Sequence, residues 1–202
     1  MNVTISILKH TILIGLVFLA SGVQAQKIEI NTVESSVNWT GKKLTGEHTG
    51  TLSFVKGEMV LNKKKLTGGV FEIDMNSIIC TDIQDKKSNV RLIDHLKSDD
   101  FFSVRTNPIS RLEITKVQHL QGDEYSITGN LTIKGTTQAI TFPATVMVTR
   151  GLVTAKAQLT FDRSKYNIKF GSNSFFENLG DEMIYDDIDL VIQLTGQIPV
   201  RN

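Results

Sequence analysis

From Glu34 onward the chain alternates between apolar and polar side chains. Val37 and Trp39 share a face, and His48 leads Gly50, Leu52 and Phe54 on one parity. Phe71, Ile73 and Met75 alternate with Glu72 and Asp74, and Leu112 and Ile114 with Arg111 and Glu113. The longest runs come later: Tyr125 to Ile133, Ile140 to Val148, Val153 to Phe161, and Ile188 to Leu194. Successive side chains leave opposite sides of a pleat, so a period of two predicts strands with one dry and one wet face. With Met59–Leu61 as a short strand, the total is about eight or nine. Tight links are expected at Lys56–Gly57, Lys134–Thr137 and Arg150–Gly151. One segment breaks the rhythm. Ser88–Lys97 sets Leu92 and Leu96 four apart with Ile93 beside them, a helical spacing, and Ser88 can cap it. Ser164–Tyr185 reads as a long connection rich in aromatic residues.

Long antiparallel strands with one dry face make either a sandwich or a closed barrel, and a barrel of about eight strands can enclose one small ligand. The dry face carries Gly129, Ala144, Ala155 and Ala157 among larger residues. These small residues either leave room for a guest or fit the taper of a filled barrel; periodicity does not choose.

Residues 1–25 stand apart. Lys9 and His10 precede the apolar run Thr11–Ala20, and Ser21–Ala25 ends with Val23 and Ala25 at the −3 and −1 places. This is the layout of a secretory signal cleaved after Ala25, and the run is too short to span a membrane. Residues 26–202 then form one domain with no membrane segment. The whole chain has 202 residues, with 22 Lys+Arg against 21 Asp+Glu, so charge provides no case for a nucleic-acid partner. In an exported protein the single cysteine, Cys80, has no internal partner, and the fold must rely on its core. Cys80 reads as a small, partly buried residue at a strand end.

Five segments in order resemble the YceI-like family: 37–54 (VNWTGKKLTGEHTGTLSF), 66–78 (LTGGVFEIDMNSI), 95–102 (HLKSDDFF), 125–144 (YSITGNLTIKGTTQAITFPA) and 161–172 (FDRSKYNIKFGS). The resemblance runs from about Val33 to Gln197. It implies an all-β fold: an extended antiparallel β-barrel of about eight strands, lipocalin-like, with a short helix and an apolar lumen. It further implies binding of a polyisoprenoid or an isoprenoid quinone, with no cofactor required and no established catalysis. A periplasmic or secreted carrier or storage protein is the function expected. A non-catalytic interaction or stress-protection module, with the barrel as scaffold, and a secreted hydrolase are the alternatives. A homodimer formed by pairing barrel mouths stays open.

Candidate lumen walls are Trp39, Phe54, Phe71, Phe102, Phe142, Phe161 and Phe170, although plain core packing explains any one of them. Three polar residues keep the phase of the dry face. Arg163 lies two residues past Phe161, Asp186 sits between Ile184 and Ile188, and His48 precedes Gly50. A buried guanidinium requires a partner, and Asp186 is the expected one. Arg163, with His48, either meets the polar head of a bound lipid or belongs to an ion pair closing the barrel end. Metal chemistry has no sequence signature, since His48, His95 and His119 stand in unrelated segments and Asp181–Asp189 lacks EF-hand spacing. Neither GxSxG nor a Cys/His signature is present, and no catalytic residue is assigned.

Overall fold

The computed structural model describes residues 25–199. Of the expected signal segment, residues 1–25, all but Ala25 lie outside the described residues. Nine strands follow: β1 (Gln26–Glu29), β2 (Ser36–Lys43), β3 (Gly46–Asn62), β4 (Lys65–Cys80), β5 (Ile109–His119), β6 (Glu124–Ile133), β7 (Thr136–Thr149), β8 (Leu152–Asp162) and β9 (Ile184–Gln197). One helix, α1 (Lys86–Lys97), joins β4 to the segment before β5.

Every pairing is antiparallel, in the order β3-β2-β9-β8-β7-β6-β5-β4, and β4 pairs again with β3 to close an eight-strand barrel. Closure removes the open edges that a flat sheet would expose. Strand β1 is the ninth and was not anticipated, although Lys27–Ile30 already alternates. It pairs with Glu58–Leu61 of β3, and Ile30 bridges to Gly196 of β9. Together β1 and β2 thus cover the length of one barrel position, with a break at Asn31–Ser35.

Two-residue hairpins link β3 to β4, β6 to β7 and β7 to β8. Their central pairs, Lys63–Lys64, Lys134–Gly135 and Arg150–Gly151, all have positive φ, the type I′ pattern that matches strand twist. The first of these carries no glycine and escaped the sequence reading. Lys56–Gly57 is no turn. It lies within β3, where the register against β4 shifts between Phe54 and Lys56. This bulge inserts one residue and flips the parity, so Phe54 and Met59 both face inward although they are five apart.

Helix α1 begins two residues before the expected start. Its cap is Asp85, whose carboxylate accepts the Ser88 backbone N–H at 2.8 Å. None of its residues is fully buried, yet Leu92 and Leu96 pack against the core. Strand β8 ends at Asp162, one residue short of Arg163, which opens a 3₁₀ turn (Arg163–Tyr166). The connection to β9 then runs over one end of the barrel.

Gly129 leaves no space for a guest. A Cβ there would meet the Glu113 carbonyl oxygen at 2.9 Å and Leu112 Cδ1 at 3.0 Å, so the glycine admits close packing of β5 on β6.

Candidate functional site

Inward-facing side chains from the barrel leave two apolar chambers. The larger, about 140 Å³ open to the centre of a water-sized sphere, lies at the helix end. Trp39, Leu52, Phe102, Phe161 and Ile188 wall it, with Leu92 and Leu96 of α1 above. The smaller, about 60 Å³ on the same measure, lies between Phe54, Phe71, Phe142 and the alanines Ala144, Ala155 and Ala157. Ile73, Leu131 and Leu190 line both chambers, so the two lie end to end along the barrel with these three side chains between them. Of the small residues on the dry face, the three alanines open space and Gly129 does not.

Six of the seven aromatic candidates therefore line the lumen. Phe170 does not. It is 42% exposed and contacts the rings of His95 and Phe101, with centroids 4.6 and 5.5 Å away. The residue lies on the connection that follows β8, which carries it outside the barrel wall. Phe170 instead lines a surface groove with Lys134, Lys169 and Phe176. Lys43 and Ile184 border both this groove and the helix-end chamber, which marks where the tube meets solvent.

Arg163 is 1% exposed and faces the helix-end chamber. Its Nε donates to the Tyr185 carbonyl, Nη1 to those of Ile168 and Phe170, and Nη2 to that of Ile184, at 2.8 to 3.1 Å. Nη2 also stands 3.2 Å from Asp186 Oδ1. A guanidinium has five N–H donors, and four of them here donate to backbone carbonyls, with Asp186 Oδ1 beside Nη2 as an ion-pair contact. Burial lowers its pKa from the ordinary arginine value, and the charge of Asp186 opposes that shift. Asp186 Oδ2 accepts from the hydroxyls of Ser172 and Ser174 at 2.8 and 2.6 Å. This geometry matches the ion-pair alternative: Arg163 ties the β8–β9 connection to the start of β9 through four backbone carbonyls and the Asp186 carboxylate.

His48 borders the same chamber without bonding Arg163. Its Nδ1 lies 2.8 Å from Asp82 Oδ2. Asp82 Oδ1 accepts the Thr49 backbone N–H at 2.8 Å and the Cys80 thiol at 3.2 Å. Burial pushes the Asp82 carboxyl up, but hydrogen bonds from His48, Thr49 and Cys80 outweigh it and hold the pKa at about 2. Burial raises the Cys80 thiol, and its bond to Asp82 adds to the rise. The sequence reading missed this trio because the hairpin register hides it. Asn62 pairs with Lys65, so an unbroken hairpin would set Gly50 opposite Ser77; the irregularity between Thr51 and Ser53 sets it opposite Cys80 instead.

A closed antiparallel barrel with an apolar, partly open tube defines the class: a β-barrel with an internal binding cavity of lipocalin type. The YceI-like domain model matches residues 29–196, and the chain belongs to that family. Its fold resembles BcnA of Burkholderia cenocepacia, with a TM-score of 0.67 at 23% identity over 82% of this chain and 98% of the other. A polyisoprenoid binding domain from Saccharophagus degradans, implicated in plant cell wall breakdown, gives 0.62 at 15% identity over 87% and 100%. At these identities the likeness concerns the fold alone. A UPF0312 protein of Pseudomonas aeruginosa is 46% identical over 50 residues, 25% of this chain and 26% of its own. The match thus spans about a quarter of that relative's length.

Proposed function

We propose that the chain binds an amphiphilic lipid with a polyisoprenoid tail, a polyprenyl chain or an isoprenoid quinone, inside the barrel, and acts as an exported, periplasmic carrier or store. The observation that carries this reading is the tube itself, two apolar chambers in line, with one end opening beside Lys43 and Ile184. The polyisoprenoid binding domain from Saccharophagus degradans, similar in fold, supports it.

Each methylene moved from water into such a tube contributes about 0.8 kcal/mol. Lost translational freedom and desolvation offset part of that sum, so length of tail, not a dense set of polar contacts, sets affinity. The tail threads past Ile73, Leu131 and Leu190 toward the alanines, and the polar head stays by Lys43. The role is binding rather than catalysis: Arg163 and Asp186, the buried charges at the chamber, are held by protein partners. No described helix is long and apolar enough to cross a membrane. The signal-like layout of residues 1–25 supports export of the carrier.

Native mass spectrometry of the purified protein tests the reading. A prenyl lipid at one copy per chain is expected, either carried through purification or taken up from added polyprenyl alcohol. A chain that stays empty in the presence of excess polyprenyl alcohol would reject it.

A further inference from the structure

Beyond lipid binding, we infer that His48, Cys80 and Asp82 form a binding site for a zinc-class divalent cation at the rim of the barrel. Three different ligating side chains meet here, with His48 Nδ1, Cys80 Sγ and an Asp82 carboxylate oxygen all within 4.8 Å of one another. That spacing matches the separations of ligands that share one metal at roughly 2.0 to 2.3 Å bonds. Two of the residues come from strands that the barrel holds side by side, and Asp82 lies on the loop that follows β4. His48 is on β3, Cys80 ends β4, and Gly50 pairs with Cys80 directly.

The surrounding structure fixes each ligand. The Thr81 N–H donates to the Thr49 carbonyl at 2.9 Å, carrying the pairing of β3 and β4 past the end of β4. The Thr49 N–H holds Asp82 Oδ1 at 2.8 Å, an outer-shell bond of the kind that orients a ligating carboxylate. Asn89 of α1 donates to the carbonyls of Cys80 and Ile83 at 2.9 and 3.0 Å, clamping the loop that carries Asp82. Cys80 is buried, whereas His48 and Asp82 are about one-third exposed, so a cation has access from solvent through the imidazole and carboxylate.

Donor chemistry selects the ion. Thiolate and imidazole favour zinc and its borderline neighbours, whereas calcium and magnesium take oxygen ligands. In the metal-free form the thiol and imidazole hydrogen-bond to Asp82. Binding breaks the S–H bond, releases that proton to solvent, and forms the sulfur–metal bond; the His48 Nδ1–H that donates to Asp82 in the metal-free form gives up its proton to solvent while Nε2 takes one, so the neutral ring offers Nδ1 to the metal. Three protein ligands leave a fourth tetrahedral position to water. The site does not depend on the cargo, because none of its ligands needs a lipid in place.

Cobalt(II) alone, titrated into the reduced full-length protein, is the test. One equivalent should bind with a thiolate-to-cobalt charge-transfer absorption, and zinc should displace it. Cys80→Ser should abolish that absorption, and His48→Ala or Asp82→Asn should weaken binding at least about tenfold. His95→Ala, in the separate His95–Asp100 pair, should change nothing. Circular dichroism establishes that each variant is folded. Absence of the charge-transfer band in folded wild type, its survival in Cys80→Ser, or undiminished affinity in both His48→Ala and Asp82→Asn would overturn the site. Each readout is a cobalt spectrum, so failure here leaves the lipid reading untouched, and an empty lipid tube leaves this site untouched.

Discussion

Arg163 and Asp186 approach to 3.2 Å across the junction between the β8–β9 connection and β9, one of them wholly buried and the other nearly so. Replacing Arg163 by Met would strand the carbonyls of Tyr185, Ile168, Phe170 and Ile184 together with the Asp186 charge. Removing one member of a buried pair costs about 3–5 kcal/mol. Urea unfolding of Arg163→Met should show a loss of about that size. A wild-type midpoint would mean that the guanidinium contributes nothing to the fold, and would return it to the lipid head.

Tyr166 is buried, its ring meets Phe161 edge-on at 5.5 Å, and its hydroxyl has no hydrogen-bond partner among the described residues. Burial, with Asp162 nearby, pushes its pKa up to about 12. The unfolded phenol titrates near 10, so the folded state favours the neutral form. The sign follows from linkage: stability from this group is complete below about pH 10 and drains away as pH rises through 12. Tyr166→Phe removes an unsatisfied hydroxyl and should leave the neutral-pH melting temperature unchanged or higher. Its stability should also fall less than wild type between pH 10 and 12. A clear drop at neutral pH would reveal a hydrogen bond that this hydroxyl makes.

Gly50 sits between Trp39 and the backbone of Ile79. The Trp39 indole N–H donates to the Ile79 carbonyl at 3.2 Å, and a Cβ on Gly50 would lie 1.8 Å from that oxygen and 2.6 Å from Trp39 Cζ2. A methyl group cannot fit without parting β3 from β4. Gly50→Ala should cost about 3 kcal/mol and weaken the bond from Trp39, visible as a shift in tryptophan fluorescence. An unshifted spectrum at full stability would contradict the closeness of this packing.

Ala155 lies in the narrow chamber, paired in register with Val146. Ala155→Phe fills that end of the tube and should cost about 1–3 kcal/mol by overpacking. The folded variant should retain short prenyl chains and release long ones in a competition series. Equal retention of all lengths would mean that the tail never reaches the alanines.

Alternation made the barrel legible because each strand buries one face, and that demand is written locally in residues such as Ile188, Leu190 and Ile192. It failed where the backbone inserts a residue. The bulge after Phe54 reads in sequence as a turn at Lys56–Gly57, since both break the parity. The lumen aromatics within strands were legible for the same reason, whereas Phe170 lies on the connection after Asp162, whose path no periodicity encodes. Arg163 pointed inward as its parity suggested and meets Asp186 as expected, but two of its carbonyl acceptors, Ile168 and Phe170, lie on that connection. The His48–Cys80–Asp82 trio depends on the register shift between Thr51 and Ser53, a property of two strands at once and of neither alone.

Helix α1 crosses one end of the tube with Leu92 and Leu96 over the cavity, yet it belongs to no ladder and has no fully buried residue. Most other walls of the helix-end chamber lie in strands paired with a neighbour. Lifting α1 therefore breaks its side-chain contacts, the Asn89 clamp and the backbone bonds of Leu96 and Lys97 to Phe102 and Val104, while sliding a strand aside unzips an entire seam. On the proposed function, α1 is the hinged door in a welded hull through which a long guest would pass. Amide exchange should find α1 opening well before the ladders that surround it.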